Sequence, residues 1–194
     1  MEEDQMETMI MERLEGLEAG SAVNIVTDLT GYFSAVKSSL KYAKEKGLPV
    51  IYITSTIPSH ILTEQLKSEE TPVDHIQFVD CISFMVGSSH EATENTLYIE
   101  SPTMLEAIML KTTLWLKKLK KDEVLVLLDS VNSLSMHNDE VLVTEFLHYF
   151  INSMRSRDVI TVVLSVAEQT PEDVETLLKL VCDESIDVAS EEEM

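Results

Sequence analysis

The polar residues best placed for chemistry in this chain directly follow four apolar runs that read as strands. They belong to the pairs Thr27-Asp28, Ser55-Thr56, Asp129-Ser130 and Ala167-Glu168, in which Ala167 is the one apolar residue. In open α/β sheets, ligands bind beyond the carboxyl ends of the strands, so these pairs are expected at one edge. The first pair lies in a strand, turn and helix unit (Ser21 to Gly47), which is the arrangement of a phosphate-binding loop.

The turn of this unit lacks the residues that hold phosphate. A phosphate-binding loop needs glycines for close backbone approach, a lysine for the β- and γ-phosphates and a hydroxyl for magnesium. The pattern Gly-x-x-x-x-Gly-Lys-Ser/Thr falls, in order, on Thr27, Tyr32, Phe33 and Ser34. A shift by one residue puts Gly31 on the second glycine but Tyr32 on the lysine, so neither alignment supplies a cation. Asp28 adds negative charge where polyphosphate would lie.

No other group of residues indicates a catalytic or metal site. The five histidines lack metal-ligand spacing (His60, His75, His90, His137 and His148). The serines near residue 130 lack a Gly-x-Ser-x-Gly elbow. Cys81 and Cys182 have no Cys-x-x-Cys partner, and reduced, small apolar thiols are favoured over a disulfide between them. We therefore expect no cofactor, no metal and no catalytic residue.

Short apolar runs alternate with segments of helical periodicity throughout the chain. The predicted strands are Ala22–Val26, Val50–Thr54, His75–Val79, Thr96–Glu100, Glu123–Leu128, Val159–Val166 and Ser185–Val188. The predicted helices are Ala35–Lys46, Ser59–Ser68, 102–119, Glu140–Met154 and 171–181, and a second apolar run, Ile82–Val86, follows the third strand. Because the strands are apolar throughout, the pattern predicts an α/β fold with a mostly parallel sheet and helices on both faces.

The sequence predicts three segments in the chain. Residues 1–19 form an amphipathic helix, residues 20–188 a single α/β domain, and residues 189–194 an acidic tail predicted to be disordered. The apolar residues of the first helix recur at helical spacing (Met6, Met9, Ile10, Leu14 and Leu17). This helix either packs on its own domain or forms a seam with a partner or a second copy, since methionines make adaptable interfaces.

The charge of the chain is strongly negative, with 35 acidic and 14 basic residues. Seven acids and one base lie in residues 1–20, and six acids and no base in residues 183–194. A field of this sign repels phosphate backbones and argues against nucleic-acid binding. With no apolar run of membrane length and no secretory h-region, the sequence predicts a cytoplasmic protein that does not bind membranes.

These elements resemble the KaiC-like branch of the RecA-type P-loop ATPase superfamily over nearly the whole chain. The matching runs are LEGLEAGSAVNIV before and in the first strand, KGLPVIYITS at the second, VLVLLDSVNSL at the Walker B strand, and DVITVVLSV with ESIDV near the end. The resemblance implies a three-layer RecA-like sandwich, in a degenerate member of archaeal type that lacks the Walker A residues.

The resemblance also shows what has been replaced at the second strand. Paired acids follow that strand in the family, one of them the general base for water, whereas Thr56 and Ile57 stand there in this chain. Asp129 matches the Walker B aspartate, which acts through magnesium held partly by nucleotide. Without the loop, a capping or hydrogen-bonding role is favoured for Asp129.

The function expected from these departures is a pseudo-ATPase that regulates or scaffolds a protein partner, either itself or an active KaiC-like ATPase. The alternative is a sensor that binds nucleotide or another small ligand at the sheet edge without hydrolysis, through Thr27, Ser34, Thr56, Asp129 and Ser130. The vestigial cleft comprises Thr27, Asp28, Tyr32, Phe33, Ser34, Thr56, Asp129 and Ser130.

Overall fold

A computed structural model describes residues 3–87, 93–121 and 123–189. The strands in these ranges are β1 (Ala22–Thr27), β2 (Val50–Thr54), β3 (Ile76–Asp80), β4 (Thr96–Tyr98), β5 (Leu125–Asp129), β6 (Ile160–Val166) and β7 (Glu184–Asp187). The helices are α1 (Glu3–Glu15), α2 (Tyr32–Lys46), α3 (Ser59–Ser68), α4 (Leu105–Leu119), α5 (Val131–His137), α6 (Glu140–Arg155) and α7 (Glu172–Val181). The predicted alternation is confirmed, with α5 as an addition that the sequence did not predict.

One parallel sheet of seven strands forms the centre, in the order β4-β3-β2-β5-β6-β1-β7. From β2 the chain winds outward through β3 to β4, and from β5 it winds the opposite way through β6. The boundary between β2 and β5 is therefore the topological switch point, where open α/β sheets bind ligands.

Two apolar cores lie on the two faces of the sheet, so the predicted three-layer sandwich is confirmed. One core joins α1, α2 and α3 to side chains such as Val23 and Tyr52. The other joins α4, α5, α6 and α7 to side chains such as Val126 and Val163. Alternate residues of each buried strand enter opposite cores, which explains why the strands are apolar throughout.

Helix α1 packs on its own domain. Met6, Ile10 and Leu14 are buried in the first core, and Glu7 forms an ion pair with Lys41 of α2. This packing accounts for the apolar pattern of the helix, while oligomerisation through it stays a prediction. None of the helices within the described ranges is long and apolar enough to span a membrane.

The apolar run Ile82–Val86 forms turns after β3. Asp80, at the end of β3, accepts hydrogen bonds from the backbone amides of Ile82 and Ser83 and from the amide of Ser59 at the start of α3. Burial alone would raise the pKa of Asp80, but hydrogen bonds from Ser83 and Ser59 hold it below its usual value. Asp80 therefore ties the turn to α3.

Several smaller predictions fall at the ends of elements. Gly47 ends α2 with a left-handed φ of 68°, as its C-terminal position requires, and Asp139 caps α6 through the amide of Val141. Both cysteines are free thiols. Ala189 closes the described part of the chain, and the rest of the predicted acidic tail lies outside the described residues.

Candidate functional site

A cavity of about 420 Å³ opens at the carboxyl edge of the sheet, at the switch point between β2 and β5. The segments after β1, β2, β3, β5 and β6 all contribute to its wall. Its apolar lining consists of Leu29, Tyr32, Ile57, Ile82, Met136 and Val166. A concave, largely apolar pocket at this position has the size and character of a small-molecule site.

A serine network connects the ends of β2 and β5 at the base of the cavity. The Ser55 hydroxyl donates to the carbonyl oxygen of Asp129 at 3.0 Å and accepts from the Ser130 amide at 3.3 Å. The Ser133 hydroxyl donates to the Ser55 carbonyl oxygen at 2.6 Å. These hydroxyls are thus bonded to backbone and hold the two loops together.

Asn132 joins α5 to the end of β6 in the same way. Its Oδ1 accepts from the Val166 amide at 2.8 Å, and its Nδ2 donates to Thr170 Oγ1 at 3.1 Å. The short helix α5 begins directly after Ser130, which caps it by accepting a hydrogen bond from the Ser133 amide. Its last turn brings Met136 and His137 to the cavity.

Asp129 lies beneath the cavity and has no exposed surface. Its Oδ2 accepts a hydrogen bond from the Tyr52 hydroxyl, and its Oδ1 has no partner among the described residues. Burial raises the pKa of Asp129 to about 8, so the carboxyl is mostly protonated at neutral pH. The hydrogen bond from Tyr52 agrees with the hydrogen-bonding role expected for Asp129. The peptide bond between Asp129 and Ser130 is cis.

At the start of α2, Asp28 takes the place that an anion would occupy. Its Oδ1 accepts hydrogen bonds from the Gly31 amide at 2.6 Å and from the Thr30 hydroxyl at 2.7 Å. Amides at a helix N-terminus are ready-made donors for phosphate. In this loop a carboxylate of the chain itself satisfies the Gly31 amide.

Gly31 is needed for close packing rather than for an unusual backbone conformation, since its φ is −83°. A Cβ at this position would lie 2.5 Å from Cε of Met6 and 2.8 Å from Oγ1 of Thr27. Helix α1 and the end of β1 therefore fill the space beside the loop.

A magnesium-bound triphosphate does not fit this loop as it is built. The Gly31 amide is bonded to Asp28, the space beside Gly31 is filled, and Phe33 stands where the lysine would be. Lys37 extends instead to Glu69, with 3.3 Å between Nζ and Oε2.

The structure brings three of the eight predicted cleft residues to the cavity: Tyr32, Thr56 and Ser130. Thr27 is buried and donates to the Asp28 carbonyl oxygen, and Asp28 and Asp129 are engaged as described above. Phe33 packs against the first core, and the Ser34 carbonyl accepts the Ser38 hydroxyl inside α2. Ala167 and Glu168 are absent from the cavity lining.

Several lining residues were not predicted from the sequence, among them Leu29, Ile57, Ile82, Asn132, Ser133, Met136, His137, Val166 and Gln169. The sequence did contain one sign of helix α5, because a serine such as Ser130 shortly after a strand is a typical N-cap. The apolar members carry no chemical signature, and only the fold places them together.

Tyr32 is the lining residue with an unsatisfied polar atom. Its hydroxyl is buried and has no hydrogen-bond partner in the described part of the chain. Buried polar groups are normally paired, so this hydroxyl is an exception within the described residues.

Comparison of the fold with solved structures finds archaeal proteins of the KaiC-like, RecA-type ATPase fold. The KaiC-like protein PH0186 of Pyrococcus horikoshii OT3 is 14% identical with a TM-score of 0.61, over 90% of this chain and 74% of that one. The flagellar accessory protein FlaH of Methanocaldococcus jannaschii is 15% identical with a TM-score of 0.64, over 96% of this chain and 77% of that one. The predicted RecA-like fold is thus confirmed.

Sequence comparison adds one family. No curated protein matches the chain. A model of the family of unknown function DUF7504 matches residues 44–188, which is more than half of the chain. This chain, a RecA-like α/β domain, therefore belongs to the DUF7504 family.

Proposed function

We propose that this chain is a non-hydrolysing RecA-like domain that regulates or scaffolds another protein. The observation that carries the proposal is the hydrogen bond from the Gly31 amide to the Asp28 carboxylate, at 2.6 Å. Phosphoryl transfer depends on positioning and on cations that stabilise the transferring phosphate. A loop that presents a carboxylate, with Tyr32 and Phe33 in place of lysine, offers the opposite charge.

The surface best suited to a protein partner is the α4–α6 groove, a depression of about 340 Å³ between these helices. Its lining is Leu105, Glu106 and Met109 of α4 with Leu142, Glu145, Phe146 and Tyr149 of α6. Leu142 is 53% and Tyr149 65% exposed, so large apolar side chains face solvent here. Aromatic and aliphatic anchors of this kind dominate protein interfaces.

The two acids in this groove define the chemistry of the partner. Glu106 and Glu145 border the apolar surface, and the chain as a whole carries a formal charge of −21. The fitting partner is an amphipathic protein segment with apolar side chains and flanking lysines or arginines, because opposite charges steer association and favour one orientation.

Substitution in the groove tests this role. A partner is captured from source-cell lysate, identified, purified and titrated against wild type and Leu142→Glu. The expected loss of affinity is about thirtyfold, as for removal of an interface anchor. The matched control is Leu180→Glu on α7, where the leucine is 80% exposed and outside the groove. Equal affinities for the three proteins, or equal loss in both variants, would contradict the groove as the docking site.

A second candidate function is a ligand sensor that uses the cavity without hydrolysis. It is favoured by the largely apolar cavity of about 420 Å³ at the switch point between β2 and β5. A ligand at a hundred times its dissociation constant stabilises the folded state by about 2.7 kcal/mol, which thermal denaturation detects. Stabilisation by MgATP would support nucleotide sensing, whereas no stabilisation is expected under the first proposal.

A further inference from the structure

We propose that two copies of this chain pair through the outer face of α4, with the two α4 helices antiparallel about a two-fold axis. This inference rests on the docking role proposed for the α4–α6 groove and names the partner of that surface as a second copy of the chain. The exposed side chains of α4, their charges and the position of the other acids support it.

A stripe of four exposed residues runs along α4 on the side away from the sheet. Glu106, Leu110, Leu114 and Lys117 form this α4 stripe, and their spacing of four, four and three residues places them on one face of the helix. Leu110 is 58% and Leu114 43% exposed, whereas the opposite face of α4 is buried in the second core. An exposed pair of leucines at helical spacing predicts a contact with another helix, because burial of their apolar surface is favourable.

Helix α6 widens the apolar surface beside the stripe. Its residues Leu142 and Tyr149 line the α4–α6 groove together with Leu105 and Met109 of α4. Val141, also on α6, is 61% exposed. The exposed apolar surface therefore extends over two neighbouring helices, as a specific interface between two folded domains requires.

The charges of the α4 stripe make it complementary to itself. Glu106 lies in the first turn of α4 and Lys117 in the last, about 16 Å apart along the axis at a rise of 1.5 Å per residue. In an antiparallel pair, Glu106 of each copy faces Lys117 of the other across the leucines, whereas a parallel pair would bring like charges together. Neither residue forms an ion pair with the described part of its own chain. The helix dipole favours these charges at these ends, but it does not account for the exposed leucines between them.

The chain itself carries the kind of segment that fits the α4–α6 groove. That segment is amphipathic, with apolar side chains and flanking lysines, and α4 has Leu110 and Leu114 with Lys111, Lys117 and Lys118 around them. Antiparallel pairing brings the lysines at the end of one α4 to the acids that border the other groove. Because a two-fold interface uses the same surface on both copies, each favourable contact is made twice.

The net charge of −21 opposes contact between two copies, but the most acidic segments lie away from α4. Residues 1–20 carry seven acids, and α1 packs on the other face of the sheet. Residues 183–194 carry six acids, and β7 is the edge strand next to β1, whereas α4 packs over β2 and β3. Pairing through α4 therefore keeps the acidic ends of the two copies out of the interface.

Exchange of the two stripe charges tests the antiparallel pairing. Sedimentation velocity across a dilution series should give the wild type, at its higher concentrations, a mass of twice 21.9 kDa. Glu106→Lys and Lys117→Glu should each weaken dimerisation about tenfold, because each turns two attractions into two repulsions. The chain with both changes should regain the wild-type dissociation constant, since opposite charges face each other again. Leu110→Glu should weaken the dimer at least about thirtyfold, because it places a charge in the apolar centre twice.

The matched controls are Glu64→Lys and Ile61→Glu on α3, where both residues are exposed on the other face of the sheet. Both should leave the dimer intact, and far-ultraviolet circular dichroism verifies that every variant folds. The inference would be overturned by a wild-type monomer at every concentration, by an assembly other than a dimer, by an unchanged dimer in Leu110→Glu, or by no recovery in the doubly changed chain.

Failure of the proposed function is distinguishable from failure of the dimer. A monomeric chain whose captured partner binds more weakly to Leu142→Glu would keep the docking role of the groove and refute self-association. Hydrolysis would appear as phosphate release from ATP and would leave the sedimentation result unchanged.

Discussion

Replacing Asp129 with asparagine tests whether this carboxyl is held neutral inside the folded protein. The pKa of Asp129 is raised from 3.8 to about 8, because burial disfavours the charged form. Between these values the folded chain holds a proton that the unfolded chain releases, so the free energy of unfolding falls as the pH rises.

The size of the effect follows from linkage. Each pH unit inside this window changes the free energy of unfolding by about 1.4 kcal/mol for one proton. From pH 5 to pH 7, wild type should therefore lose about 3 kcal/mol relative to Asp129→Asn, which has no proton to release at this site. The difference should flatten above about pH 8.

Urea unfolding at pH 5, 6, 7 and 8 measures this difference, since other titrating groups are common to both proteins and cancel. The matched control is Asp173→Asn on α7, where the carboxylate is exposed and solvent reaches it in both states. A wild-type minus Asp129→Asn difference that stays constant with pH would refute the neutral carboxyl. It would also mean that Asp129 is ionised beneath the cavity.

Further substitutions test the loop before α2 and the end of β3. Gly31→Ala should destabilise the protein by about 1–3 kcal/mol, because the added Cβ would lie 2.8 Å from Thr27 Oγ1 and 2.5 Å from Met6 Cε. In urea unfolding, Gly31→Ala and Met6→Ala combined should lose less stability than the sum of the two single losses, and additive losses would contradict the contact with Met6. Asp28→Ala should lower the free energy of unfolding by about 1 kcal/mol, and with it the melting temperature, because the Gly31 amide loses its acceptor. Sulfate should stabilise this variant more than wild type, since an anion could then accept from the same amide. Asp80→Asn should reduce the acid-induced loss of stability that wild type shows below about pH 4. The folded-state pKa of Asp80 is depressed, so its contribution to stability is lost as the pH falls through that value. An equal loss of stability in both proteins on acidification would argue against this role.

The sheet could be predicted from the sequence because strands that are buried on both faces are apolar at consecutive positions. VIYIT and ITVVLSV are apolar at nearly every position, and each became a buried strand, β2 and β6. The run Ile82–Val86 shows the limit of that signal. Its residues are equally apolar, but the hydrogen bonds of Asp80 turn the chain away, leaving Phe84 57% exposed.

The candidate site could be located but not assembled from the sequence. Polar residues after the strands pointed to the edge of the sheet at which the cavity opens, and Tyr32, Thr56 and Ser130 line that cavity. The apolar walls come from Leu29 and Met136, which no motif marks and which tertiary structure alone brings together. Helix α5 was missed because its seven residues are too few to show a helical period.

The sequence indicated the negative charge that Asp28 brings to the loop, but not the hydrogen bond that this residue makes. A negative charge in the loop was expected to repel polyphosphate. In the structure, this carboxylate accepts the hydrogen bond of the Gly31 amide, so that amide is already paired within the loop. Spacing alone could not show this, because the bond depends on the conformation of the turn.

The central proposal is that the chain keeps the RecA-like fold without hydrolysing nucleotide. The most direct measurement is phosphate release from MgATP and MgGTP by purified protein, with Asp129→Asn as the control for contaminating enzymes. The proposal predicts the same background rate for both proteins. Turnover by wild type that is abolished in Asp129→Asn would contradict it.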